Sequence, residues 1–187
     1  MEDSPYSRDA ARFFNEYEGI LFETAHEAFL ASLPTEPGVV LDVGAGSGRD
    51  AAWFAARGHE VFAVEPAIRL RDMAADHHKN PRIHWIDDRL PSLERVRRSG
   101  TRFNAIWASA VWMHVPTQEQ PRAFRVLANC LRPGGRLFIS LRHGDFDDDR
   151  MSWGVSAPDL IGLARKHGLV CIAHHGQVPD LRGRTGV

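Results

Sequence analysis

Apolar and polar positions change period along the chain. From residue 9 to 32, Phe13, Tyr17, Leu21, Ala25, Ala28 and Phe29 recur at near-helical spacing with Asn15, Glu16, Glu23 and Glu27 between them, which predicts one amphipathic helix, or two broken near Gly19. Val39-Val40-Leu41-Asp42-Val43 and Val61-Phe62-Ala63-Val64 are short apolar runs of strand length. Between them Arg49 to Arg57 predicts a short helix closed by Gly58, with Asp50 in the first turn where the macrodipole favours an acid. Pro66 is expected as the first residue of the next helix, carrying Ile68, Leu70 and Met73 until Pro81 stops it. Thr117 and Gln120 form a capping-box pattern before Phe124, Val126 and Leu127, and Ser156 and Asp159 repeat it before a helix ending at Gly168. Strand and helix alternating from 39 to 176 demand a parallel sheet with helices on both faces and the ligand beyond the carboxyl ends of the strands.

The first strand ends in Gly44-Ala45-Gly46-Ser47-Gly48. Three glycines at this spacing let a ligand lie against main chain where any side chain would collide. A dinucleotide fingerprint places its third glycine one residue later and a pyrophosphate at the helix N-terminus, an anion site that Asp42 would oppose. The acid instead suits a cationic ligand. Glu65 closes the second apolar run 21 residues beyond Gly44, the place where open α/β folds bind ribose hydroxyls. No arginine directly follows it, so adenosine-type ligands fit and NADP does not.

These residues resemble motif I and the following acidic position of class I S-adenosylmethionine-dependent methyltransferases. Ile83 to Pro91 looks like that family's third strand and acidic adenine loop, Phe103 to Ser109 like the fourth strand, and Leu131 to Ile139 like the Pro-Gly-Gly turn into the fifth. The likeness covers about residues 37 to 176 and implies a three-layer, doubly wound, Rossmann-like α/β sheet, its first strand central, the second and third on one side and the fourth and fifth on the other. It divides a single domain, 1–187, into a helical cap (1–35), the core (37–176) and an incomplete hairpin (177–187). Leu169 to His174 is expected as the sixth strand and the antiparallel seventh as truncated, or that edge as covered by a partner.

The resemblance also implies a site. Gly44, Ala45, Gly46 and Gly48 would face S-adenosylmethionine, with Glu65 on the ribose and Pro66 beside it. Asp87 or Asp88 would take the adenine amino group, with Asp87 favoured because it directly follows the strand. Asp42 would act near the methionine amino group, or serve as a buried cap. Ser109 and Trp112 would wall the methyl-transfer pocket, joined on the acceptor side by Tyr17, Met113 and Arg142. His114 is a general base if the acceptor is a hydroxyl, or packs the following turn. Asp145, Asp147, Asp148 and Asp149 lack the spacing of a calcium loop and read as an acidic lid, with Phe146, Met151 and Trp153 as apolar cover; no metal is expected. His174 and His175 read as structural.

The function expected is methyl transfer from S-adenosylmethionine to an O or N atom of a small molecule by in-line displacement, leaving S-adenosylhomocysteine. Alignment alone can supply roughly 7–11 kcal/mol there, so few dedicated catalytic groups are needed. The alternative is a cofactor-binding module without turnover, and a nicotinamide oxidoreductase is disfavoured by the glycine spacing. Composition narrows the partners. The formal charge of −1 and ten dispersed histidines argue against nucleic acid, and Arg95, Arg97, Arg98 and Arg102 read as a solvated helix end. The Asn/Asp-Pro-Pro-aromatic run and the Pro-Cys pair of base-directed methyltransferases do not follow the fourth strand. Two cysteines, no signal-like N-terminus and no membrane-length apolar run predict a reduced, cytoplasmic protein of undetermined oligomeric state.

Overall fold

In the computed structural model of the chain, which describes residues 4–144, 146 and 148–176, five parallel strands form one sheet. They are β1 (Val39–Val43), β2 (Glu60–Val64), β3 (Ile83–Ile86), β4 (Phe103–Ser109) and β5 (Leu131–Ser140), in the order β3-β2-β1-β4-β5. Val40 pairs with Val61 on one side and Ala105 on the other, so β1 is central, as expected. The chain winds outward from β1 to β3 and returns at β4, which leaves a crevice where β1 and β4 end.

Three short helices and a 3₁₀ turn precede the sheet: α1 (Pro5–Arg8), α2 (Ala10–Glu18), α3 (Phe22–Ala25) and Glu27–Ser32. The expected break near Gly19 is present, and a second falls at His26, so no long helix forms. α1 lies outside the predicted stretch; Ser4 Oγ caps it by accepting from Ser7 N–H at 3.1 Å.

α4 (Arg49–Ala56), α5 (Ile68–His77), α6 (Glu94–Arg98), α7 (Gln120–Cys130) and α8 (Ala157–Lys166) follow. Side-chain alternation sorts the strands into two cores. Val40, Val61, Ala63, Ala105 and Trp107 pack with Ala51 and Phe54 of α4, whereas Leu41, Val43, Val64, Ile106 and Ala108 pack with Val96 of α6 and Phe124 and Leu127 of α7. A third cluster seats Phe13 of α2 on Ala67 and on Leu70 of α5.

Four local expectations are corrected. Pro66 lies ahead of α5, which begins at Ile68 after the extended N-cap Ala67. The Thr117–Gln120 capping box does not form: Thr117–Glu119 is a 3₁₀ turn, and the Gln120 amide donates to the carbonyls of Val115 and Gly154, both at 3.2 Å. The Ser156 cap does form, its Oγ accepting from Asp159 N–H at 3.3 Å. Pro133-Gly134-Gly135 makes an irregularity inside β5, where the pairing shifts between Phe103 and Ala105. Residues 169–176 carry no strand, and His174 and His175 are exposed; the expected hairpin at 177–187 lies outside the described residues. No helix among the described residues is long and apolar enough to cross a membrane.

Candidate active site

At the carboxyl end of β1 the chain turns through Gly44, Gly46 and Gly48 at φ +72°, +58° and +86°, a left-handed backbone that strains any side chain. The N–H groups of Gly44 and Ala45 both donate to the Val64 carbonyl at 2.9 Å, which ties the turn to the end of β2. A Cβ on Gly44 would meet Val111 Cγ2 at 2.7 Å, and one on Gly48 would meet Trp85 Cη2 at 2.7 Å. Protein side chains therefore fill the space beside these two glycines. Gly46 lies against Tyr17, whose Cδ2 would be 3.2 Å from an added Cβ.

A cavity of about 1840 Å³ opens above this turn and reaches along β5 toward α8. Gly44, Ala45, Gly46, Tyr17, Glu65, Pro66, Asp88, Ser109, His114 and Arg142 all line it, so the crevice gathers ten of the expected site residues. Asp42, Gly48, Asp87, Trp112 and Met113 are not among its lining residues.

The reasons differ. Trp112 and Met113 are fully buried, Trp112 against Phe124 with ring centres 6.2 Å apart, and neither lines this cavity. Trp112–His114 is a 3₁₀ turn, whose successive side chains point about 120° apart, so one of the three faces the cleft, and it is His114. Just before this turn Ala110 has φ +48°, held by its N–H donating to Ser140 Oγ at 2.9 Å. A left-handed alanine costs about 1–2 kcal/mol, and it re-aims the chain from β4 into the cleft. Asp88 caps α6, its two oxygens accepting from the N–H groups of Arg89, Glu94, Arg95 and Val96 at 2.7–3.1 Å. Asp87 lies 3.4 Å from Arg71.

Glu65 is 6% exposed; its Oε2 accepts from Gly46 N–H at 2.9 Å and its Oε1 from Ala67 N–H at 2.8 Å. Burial pushes its carboxyl up, and the two N–H groups and Arg71 oppose that rise. A carboxylate has about four acceptor positions, so two remain for a diol in the cavity. The residues thus fit an adenosine-type cofactor.

Asp42 is 2% exposed, and its Oδ2 has no hydrogen-bond partner among the described residues. Burial first, then the charges of Asp50 and Glu65, push its carboxyl well above the usual range. The folded state then keeps a proton that the unfolded chain releases near pH 4, so Asp42 weakens the fold progressively as pH rises toward its folded value. Asp42→Asn should remove that slope. Its melting temperature relative to the parent should climb from pH 5 to pH 8, and a parallel pair of stability curves would refute the buried neutral acid.

Two arrangements escaped the sequence reading. In the first, Asp50 is the centre of a buried network: its Oδ2 accepts from His26 Nε2 and Trp107 Nε1, both at 2.8 Å, and its Oδ1 from Arg49 Nε at 2.7 Å. Burial would raise the Asp50 carboxyl, but His26 and Arg49 outweigh it and hold it down at about 2. Arg49 also donates to the carbonyls of Tyr17 and Ile20, both at 3.3 Å, which joins the glycine turn to the end of α2.

In the second, Tyr6 reaches the site from α1, its hydroxyl 2.8 Å from His114 Nε2. His114 Nδ1 lies 3.0 Å from the Met151 carbonyl, which can only accept, so Nδ1 carries the proton of the neutral ring and Nε2 accepts from Tyr6. Burial, and then Arg150 and Arg142, lower the His114 imidazole below its usual range. Burial likewise raises the Tyr6 phenol, against the pull of Arg150. Phe146 stacks on His114 at 5.3 Å, and Arg150 lies over Phe146 at 4.0 Å.

The acidic segment is bound by arginines. Asp148 pairs with Arg150 at 2.7 Å and Arg12 at 3.1 Å, and Asp149 pairs with Arg8, so the loop after β5 is tied to α1 and α2. Asp145 and Asp147 lie outside the described residues. Met151 is 66% exposed despite its place in the expected apolar cover.

A methyltransferase-domain family profile matches residues 14–174. The chain belongs to this methyltransferase family. Among curated proteins it is 34% identical over 116 residues to the methyltransferase GfsG of Streptomyces halstedii, a match covering 58% of this chain and 40% of that one. It is 33% identical over 102 residues to a ubiquinone biosynthesis O-methyltransferase of Xanthomonas oryzae, covering 54% and 41%. The methyltransferase chain thus spans less than half the length of these two relatives. A crystal structure of magnesium protoporphyrin IX methyltransferase from Synechocystis with bound S-adenosylhomocysteine shares its fold, with a TM-score of 0.72 at 15% identity over 98% of this chain and 92% of that one.

Proposed function

We propose that this methyltransferase binds S-adenosylmethionine across the Gly44–Gly46 turn and methylates a hydroxyl oxygen of a small molecule. The observation that carries the reading is the buried Glu65 carboxylate, held by Gly46 and Ala67 N–H groups with acceptor capacity left toward the cavity. Main chain at Gly44, Ala45 and Gly46 would hold the methionine part and Glu65 the ribose. Asp88 is spent on capping α6, and Asp87 pairs with Arg71 and does not line the cavity, so neither carboxylate is placed on the adenine amino group. When bound, the cofactor supplies a methyl group already activated on a positive sulfur.

The protein's own task is then to align the acceptor oxygen, exclude water and take one proton. Tyr6 and His114 are built for the proton. His114 is neutral with Nε2 as acceptor, so the Tyr6 hydroxyl can receive the acceptor's proton while passing its own to Nε2. Ser109, Tyr17 and Arg142 line the same cavity and would position the acceptor. The ubiquinone-pathway relative, an O-methyltransferase by name, is consistent with oxygen as the target.

Calorimetry provides the test. S-adenosylhomocysteine should bind and NAD should not. Glu65→Gln should weaken S-adenosylhomocysteine about ten- to a hundredfold, since a charge-assisted hydrogen bond is worth about 1.5–3 kcal/mol. Unchanged affinity would remove Glu65 from the cofactor site. Tight binding with no turnover across hydroxyl and amine acceptors would overturn the catalytic reading.

A further inference from the structure

Outside the cleft, three metal-binding side chains converge where α2 meets α5. Glu18 is the last residue of α2, His77 the last of α5, and His78 the residue that caps it. Their candidate ligand atoms lie within 4.8 Å of one another: Glu18 Oε1 is 3.2 Å from His78 Nε2, and Glu18 Oε2 is 4.0 Å from His77 Nε2. The two imidazoles meet edge to face with centres 4.6 Å apart, because His78 has left the helix at ψ 68°. Ligands at about 2.0–2.2 Å from a tetrahedral zinc stand roughly 3.3–3.6 Å from each other, so these donors need only small shifts to share one ion.

From this we propose a divalent transition-metal site of the zinc class formed by Glu18, His77 and His78. Two imidazoles and a carboxylate are the donors that zinc and cobalt accept, and they leave a position for water. The His78 ring is mostly buried, while His77 is 56% exposed and gives the ion an entry from solvent. Ser47 Oγ donates to Glu18 Oε1 at 2.6 Å, which orients the carboxylate. A bound ion would therefore clamp the end of the N-terminal cap to α5 and, through Ser47, to the glycine turn.

The test uses the untagged, metal-free full chain. Co²⁺ titrated into it should produce a saturable visible absorption at a single equivalent, which Zn²⁺ abolishes by displacement, and Zn²⁺ should raise the melting temperature. His77→Ala, at a half-exposed position that spares the fold, should weaken Co²⁺ about tenfold or more, and Glu18→Gln should do the same while keeping the side chain's size. No saturable binding, or binding that both variants leave unchanged, would overturn the site. Neither readout depends on methyl transfer.

Discussion

His114→Asn is expected to lower kcat by about 10²- to 10⁴-fold, the usual contribution of a positioned general base. The dissociation constant for S-adenosylhomocysteine should stay unchanged, because the cofactor contacts proposed above do not include this ring. Tyr6→Phe should reproduce most of the loss. It removes only the hydroxyl through which the proton passes, while the ring stays packed on Phe13 at 4.7 Å. A Tyr6→Phe enzyme with full turnover would show that Tyr6 merely positions His114, and an unimpaired His114→Asn would exclude the base altogether. The pH profile adds a second readout. The base is active when unprotonated and burial lowers its titration, so the acid limb of kcat/KM should fall below the usual histidine value of about 6.5. A limb above that value would assign the titration to another group.

Asp50→Ala is expected to cost about 3–5 kcal/mol of stability, the penalty for breaking a buried charged network by removing one partner. For a chain of this size that corresponds to roughly 6–20 °C in melting temperature. Three donors lose their acceptor together: His26, Trp107 and Arg49. The sign with pH is also set. The folded carboxyl titrates at about 2 and the unfolded one near 3.9, so its contribution is present above the unfolded value and is lost as pH falls through the folded one. The gap between parent and Asp50→Ala should therefore shrink toward pH 2, and a loss below about 1 kcal/mol at pH 7 would contradict the network's role.

The two carboxylates of β1 and α4 show why such roles stay hidden in a one-dimensional reading. Asp42 and Asp50 are both acids beside the glycine turn, yet burial with Asp50 and Glu65 pushes one up against the pull of Arg49, while His26 and Arg49 hold the other down. Nothing in their spacing separates them. Two of the three donors, His26 and Trp107, lie 24 and 57 positions from Asp50, distances at which no helical or strand period connects side chains. Tyr6 is the extreme case, 108 residues from His114. Its only signal in the chain was an aromatic in a short Ser-Pro-capped turn, which also marks ordinary packing.

The strands, the left-handed glycine turn and the place of Glu65 at the end of β2 could be read directly because each is a demand of the local main chain, whereas the strand order came with the family resemblance. A left-handed φ calls for glycine, a strand buried on both faces calls for an apolar run, and an acid at a strand's carboxyl end is placed by that strand alone. Which of Trp112, Met113 and His114 faces the cleft, which aspartate caps α6, and which buried aspartate is shifted up and which down were settled only by the packed chain. Those outcomes depend on the rotation of a 3₁₀ turn, on N–H groups exposed at a helix start, and on dielectric and charge around a buried oxygen. All three are properties of neighbours brought together by folding.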